Sequence, residues 1–145
     1  MLDRLGQADR ICGISALLAL ISTYLPWYHF HDAHGSTTVN AFGAGFLGDT
    51  LFFCAIATLL MVAMRMGLVD LRQTGLEDRH LLPVTGVALG AVILQLLIGV
   101  NGSGAFHSIT IGVVVALLAA GGMVVGARME RQSGPGTHSL RRSSR

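Results

Sequence analysis

The stretch Leu81-Leu82-Pro83-Val84-Thr85-Gly86-Val87-Ala88-Leu89-Gly90-Ala91-Val92-Ile93-Leu94-Gln95-Leu96-Leu97-Ile98-Gly99-Val100 contains no charged side chain. An α-helix rises about 1.5 Å per residue, so roughly 20 residues cross a hydrocarbon core of about 30 Å, and this stretch has that length. Its one amide, Gln95, must face a neighbouring helix, because an unsatisfied amide in hydrocarbon costs on the order of several kcal/mol. Two further stretches flank it, Thr50 to Val69 with Arg65 near its end, and His107 to Ala127. A fourth, Ile11 to Trp27, is shorter and stops at Pro26, which marks its end.

The segments between these runs, Tyr28 to Asp49, Arg65 to His80 and Asn101 to Ala105, are too short to fold alone, so one domain is expected. The chain is 52% hydrophobic and 12% charged, and the charges lie at the ends of the apolar runs, which excludes an ordinary soluble domain. The expected fold is all-α, an integral membrane antiparallel four-helix bundle with spans over residues 11–27, 50–69, 81–100 and 107–127. The transmembrane domain then occupies residues 1–131, and residues 132–145, rich in Ser, Gly and Arg, form a disordered cytoplasmic tail.

The two ends of the spans differ in kind. The aromatic side chains (Tyr24, Trp27, Tyr28, Phe30, Phe42, Phe46, Phe52, Phe53 and Phe106) lie toward one end. All ten basic residues are arginines and lie toward the other: Arg4, Arg10, Arg65, Arg72, Arg79, Arg128, Arg131, Arg141, Arg142 and Arg145. The positive-inside rule puts the arginine side in the cytoplasm, so both termini are expected there, in a multi-pass protein of the cell (plasma) membrane. Tyr24, Trp27 and Tyr28 then form an interfacial aromatic belt. The net charge of +2 is a topology signal and not the mark of a nucleic-acid partner. Arg4 and Arg10 before an apolar run resemble a secretory signal, but Ser22-Thr23-Tyr24-Leu25-Pro26-Trp27 offers no small-residue cleavage site. The run reads as an uncleaved first span. Cys12 and Cys54 fall at different depths, too far apart for a disulfide, and are expected as free thiols.

The outer loop alternates Tyr28 and Phe30 with His29 and His31, turns at Asp32-Ala33-His34-Gly35, and continues through Ser36-Thr37-Thr38-Val39. That pattern predicts a β-hairpin. Asn40 is placed to cap a short interfacial helix carrying Phe42, Phe46 and Leu47, and Asp49 to cap the second span.

Candidate chemistry gathers at this outer end. On a strand His29 and His31 lie about 6.6 Å apart on one face, a spacing that converges on one metal ion. With His34, and with Asp32 beside them, they form a candidate zinc or copper(II) site that His107 could approach; the alternative reading is solvated loop histidines. Asp49, Gln95 and His107 form a polar cluster at the same end. No ionisable side chain falls in the middle of a span, which argues against an ion-coupled transporter, and a cysteine pair for thiol oxidation is lacking. No catalytic residues and no resident cofactor are expected. Helix packing in lipid needs small residues one turn apart. They occur at Gly86 and Gly90, at Gly112, Ala116 and Ala120, and at Gly122 and Gly126. Arg141-Arg142-Ser143-Ser144 near the C-terminus matches anionic-lipid contact or basophilic phosphorylation, beside the plainer reading of a cytoplasmic tail.

Leu25-Pro26-Trp27-Tyr28, Asn40-Ala41-Phe42, Asp49, Gly121-Gly122 and Arg128-Met129-Glu130 together resemble a group of small four-span membrane proteins of actinobacterial type. The resemblance covers most of Tyr24 to Arg131 and implies the four-span fold but no activity; the outer-loop histidines depart from the group. The expected function is non-enzymatic: an accessory or structural subunit whose partners are the lipid bilayer and another membrane protein or itself. The alternative is an extracytoplasmic metal-binding or pH-responsive sensor using the outer-loop histidines.

Overall fold

A computed structural model describes residues 6–32, 35–68, 80–99 and 109–132. The elements in chain order are α1 (Gln7–Ser22), β1 (Pro26–Asp32), β2 (Gly35–Asn40), α2 (Ala41–Ala44), α3 (Phe46–Arg65), α4 (Leu81–Ile98) and α5 (Ile111–Gln132). The structure is mostly helical, and α3, α4 and α5 are long and apolar enough to cross a membrane. Four expectations lie outside the described residues: the hairpin turn with His34, the 69–79 connection, the region around His107, and the tail.

The four long helices close a ring in which α1 packs on α3 and α5, and α4 packs on the same two. Contacts at both ends make sequential helices antiparallel. At one end Asp9 of α1 meets Arg65 at the close of α3, and Glu130 of α5 joins them. At the other, Tyr28 of the hairpin bonds Gln95 of α4, and Gln95 bonds Ala44 of α2.

The interior of the ring is built from small side chains. Ala16, Ala19, Ala55, Ala88, Ala116, Ala119 and Ala120 are buried, with Leu51, Val92, Val113 and Met123 between them. The bulky aliphatics point outward: Ile14, Leu17, Leu18 and Ile21 on α1, Ile93, Leu94 and Leu97 on α4, Ile111, Val114, Leu118 and Val125 on α5. A water-soluble bundle buries its large apolar side chains. Here Leu118 is 72% exposed, so close-packed small residues hold the helices together and large aliphatics make up the outer surface.

The helix bounds differ from the sequence expectation. The first run does not continue helically to Trp27: the Ser22 and Thr23 hydroxyls donate back to the Ala19 and Leu20 carbonyls, at 2.6 and 2.7 Å, and α1 ends at Ser22 with 16 residues. Trp27 instead lies in β1 and donates its indole N–H to the Ser22 carbonyl at 2.7 Å. The second helix begins earlier and stops earlier than 50–69. Gly45 is its N-cap, so Asp49 sits in the first turn without capping, where the helix dipole still favours a carboxylate. Its C-terminus is a Schellman turn: Gly67 takes φ 72°, its N–H donates to Met64 O at 2.9 Å, and Leu68 N–H donates to Ala63 O at 3.0 Å. The fourth helix begins at Ile111 and runs on to Gln132.

The predicted hairpin forms, with Tyr28 opposite Val39, His29 opposite Thr38, and Phe30 opposite Thr37. Asn40 caps α2, its side-chain oxygen accepting from Gly43 N–H at 3.1 Å. The interfacial helix is shorter than expected, since Phe46 and Leu47 belong to α3.

Candidate functional site

The hairpin end of the bundle is closed by protein. Trp27 and Tyr28 are fully buried among the helix ends, and the Tyr28 hydroxyl donates to the main-chain oxygen of Gln95 at 3.0 Å. Gln95 is itself 3% exposed. Its amide N–H₂ donates to Ala44 O at 3.2 Å and to Gly99 O at 2.9 Å. One side chain thus ties α2 to α4 and satisfies a carbonyl at the α4 terminus, where Gly99 turns the chain at φ 68°. The Thr110 hydroxyl and N–H donate to Pro26 O and Trp27 O, the latter at 3.0 Å, and Tyr28 pairs with Ile109. Ile109 and Thr110, just before α5, therefore act as a third strand edge beside β1. These contacts give Gln95 a structural job, joining the outer cap to the bundle.

Around this cap runs an aromatic ladder. Tyr24 meets Phe42 edge to face at 5.5 Å between centroids, Phe42 meets Phe52 at 5.4 Å, and Phe52 meets Phe53 at 5.7 Å. Phe46, at the head of α3, is 81% exposed. Above the ladder an open groove of about 440 Å³ is lined by Tyr24, Pro26, Thr38, Val39, Asn40 and Gly43.

Two of the three polar residues expected together at this end lie among the described residues. Gln95 is buried, Asp49 is half-buried in the first turn of α3, and His107 lies outside the described residues. Of the histidines, His29 and His31 are two residues apart on β1, and His34 lies outside the described residues. Among the described residues, no group of three or more His, Cys, Asp or Glu side chains is close enough to hold a metal ion.

The small-residue ridges divide between two environments. Gly112, Gly122 and Gly126 of α5 lie against Pro26 and Trp27, against Ser15, and against Ala8 and Cys12. A Cβ at Gly126 would stand 2.9 Å from Cys12 N, which makes α1 and α5 a close-contact pair. Ala116 and Ala120 are buried on the same face of α5. Gly86 and Gly90 of α4 face outward, and a Cβ on either meets nothing within 4 Å.

At the opposite end stands a charged cluster that sequence reading did not single out. Arg65 Nη1 is 2.7 Å from Asp9 Oδ1 and also contacts Glu130 Oε2, with the three side chains 14%, 19% and 32% exposed. The arginine joins the ends of α1, α3 and α5. The only sequence signal was an arginine at the close of an apolar run, with acids equally close to the ends of two other runs. Compared with family models, curated proteins and solved structures, the chain matches none.

Proposed function

We propose that all four long helices, α1 included, cross the cell membrane with both termini in the cytoplasm. In this reading the protein acts without catalysis, as an accessory or structural subunit that packs against another membrane protein or a second copy of itself. The observation that carries this reading is the outward-facing Gly86 and Gly90 on α4, flanked by exposed Val87, Ile93 and Leu97. Gly112, Gly122 and Gly126 of α5 are consumed in contact with α1 and the hairpin, whereas Gly86 and Gly90, one turn apart on α4, leave a shallow notch in a lipid-facing surface. Such notches let a neighbouring helix approach closely where the hydrophobic effect cannot drive association. The motifs behind the resemblance to small four-span proteins of actinobacterial type bear on the four-span fold alone. Leu25 to Tyr28 leads into the base of the hairpin, Asn40 to Phe42 caps and opens α2, and Gly122 meets Ser15.

Purification in mild detergent from native membranes, with Gly86→Ile/Gly90→Ile as the comparison, tests this. A stoichiometric partner or a dimer that the double variant loses, while its fold persists, is the expected result. A monomer without a partner, unchanged in the variant, refutes it. Reporter fusions at both ends check the orientation, with cytoplasmic signal expected from each.

A metal-binding or pH-responsive sensor is the second reading. It is favoured by the β1–β2 ladder, in which His29 pairs with Thr38 and His31 with Ser36.

A further inference from the structure

The contacts between helices show how far α1 reaches. Asp9 meets Arg65 and Gly13 lies against Val62, so α1 and α3 run antiparallel in step. Tyr24, just past the end of α1, then reaches the level of Phe52 through Phe42. From Phe52 to the head of α3 at Phe46 there remain about 9 Å of helix. The apolar part of α1, from Ile11 to Ser22, supplies about 17 Å, whereas a hydrocarbon core is about 30 Å thick. A strand rises about 3.3 Å per residue, so Pro26 to Tyr28 adds about 7 Å and brings the crossing closer to full length.

Non-helical backbone is tolerated at membrane depth only where protein satisfies its polar groups. At the base of the hairpin protein groups satisfy much of the backbone. The carbonyls of Ala19, Leu20, Ile21 and Ser22 all accept hydrogen bonds, from the Ser22 hydroxyl, from Thr23, from Tyr24 N–H, and from Leu25 N–H and the Trp27 indole. Thr23 O accepts from Ala41 N–H at 3.2 Å, Pro26 O and Trp27 O accept from Thr110, and β1 is paired on both edges, by β2 and at Ile109. Ser22, Thr23, Trp27 and Ala41 are fully buried, while the side chains turned outward at this level include Tyr24, Phe42, Phe46 and Phe53. Exposed Pro26 and Ile111 lie at the same end, so the large side chains turned outward there are aromatic or apolar, which suits the acyl and glycerol region of a bilayer.

Resting on the proposed spanning of α1, we infer that residues 23–28 and α2 lie within the membrane, completing the crossing that α1 begins. The Tyr24, Phe42, Phe46 and Phe53 surface contacts phospholipid, and water begins at Ser36 to Thr38, which are exposed.

Single cysteines placed at Tyr24, Phe46, Thr37 and Gly6, in a background with Cys12→Ala and Cys54→Ala, are labelled in sealed phosphatidylcholine vesicles with a membrane-impermeant maleimide. Labelling needs the thiolate, which hydrocarbon disfavours, so Tyr24→Cys and Phe46→Cys should react at least about tenfold more slowly than Thr37→Cys. Equal rates at positions 24 and 37 overturn the embedding. Labelling of Gly6→Cys and Thr37→Cys from the same side overturns the spanning of α1 itself. Disulfide-linked dimers through Phe46→Cys place a second copy over this face and also overturn the lipid contact. The native chain supplies an independent measurement through Trp27, its one tryptophan. Nitroxide on the acyl chain should quench it more than nitroxide on the headgroup, and the reverse order overturns the proposal.

Discussion

Replacing Arg65 with methionine tests the charged cluster that joins three helix ends. Arg65 Nη1 lies 2.7 Å from Asp9 Oδ1 and contacts Glu130 Oε2, so its loss deprives two carboxylates of the cation they share. Breaking a buried ion pair costs about 3–5 kcal/mol, and an exposed one about 0.2–1 kcal/mol. Side-chain exposures of 14%, 19% and 32% place this cluster between those limits, and screening of Glu130 discounts its share. Arg65→Met should therefore destabilise by about 2 kcal/mol, mainly through repulsion and stranded charge at the ends of α1 and α5. If that is the origin, neutralising the acids as well should recover at least about half of the loss, because Asp9→Asn and Glu130→Gln remove the stranded charge. Reversible unfolding in bicelles, compared across native protein, the single variant and the triple variant, reads both numbers. A single variant within about 0.5 kcal/mol of native, or a triple variant no more stable than the single, refutes the reasoning.

Three further outcomes follow from the same geometry. Gly48→Ala would drive a methyl into the Ala41 carbonyl and should cost about 1–3 kcal/mol, whereas Gly90→Ala, opening onto empty space, should change monomer stability by less than about 0.5 kcal/mol; the same bicelle unfolding compares them. Gln95→Leu removes the donors to Ala44 O and Gly99 O and should cost about 1–2 kcal/mol, while Tyr28→Phe removes one bond and should cost about 0.6 kcal/mol, the membrane average. In zinc and copper(II) titrations of the purified protein, the sensor reading requires saturable binding that His29→Ala/His31→Ala abolishes; calorimetry with the variant as control settles it.

Much of the architecture was legible in the chain. The uninterrupted run around Val92 reads as a helix of spanning length, and so do the runs around Ala55 and Ala119, because length and apolarity are local properties. The hairpin was legible through the alternation of Tyr28 and Phe30 with His29 and His31. Less legible were the helix ends. Gly67 stops α3 through a positive φ, yet Gly67 in sequence looks like any of the 19 glycines. Ser22 and Thr23 end α1 by turning their hydroxyls back on its carbonyls, and the same residue types occur inside helices, as Thr58 does with Cys54 O at 2.8 Å. Trp27 reads as belt aromatic in sequence but is buried in the fold.

The sequence by itself determined that this is a chain of long apolar helices with its arginines at one end and its aromatics at the other. Only the tertiary structure decided which face of each helix turns inward, because core and lipid are equally apolar and periodicity cannot separate them. That is why Gly112, Gly122 and Gly126 could not be told from Gly86 and Gly90 until contacts with Pro26, Ser15 and Cys12 used one set and left the other open. The pairing of Arg65 with Asp9 and Glu130, and the seating of Trp27 and Tyr28 over Gln95, depend in the same way on segments far apart in the chain.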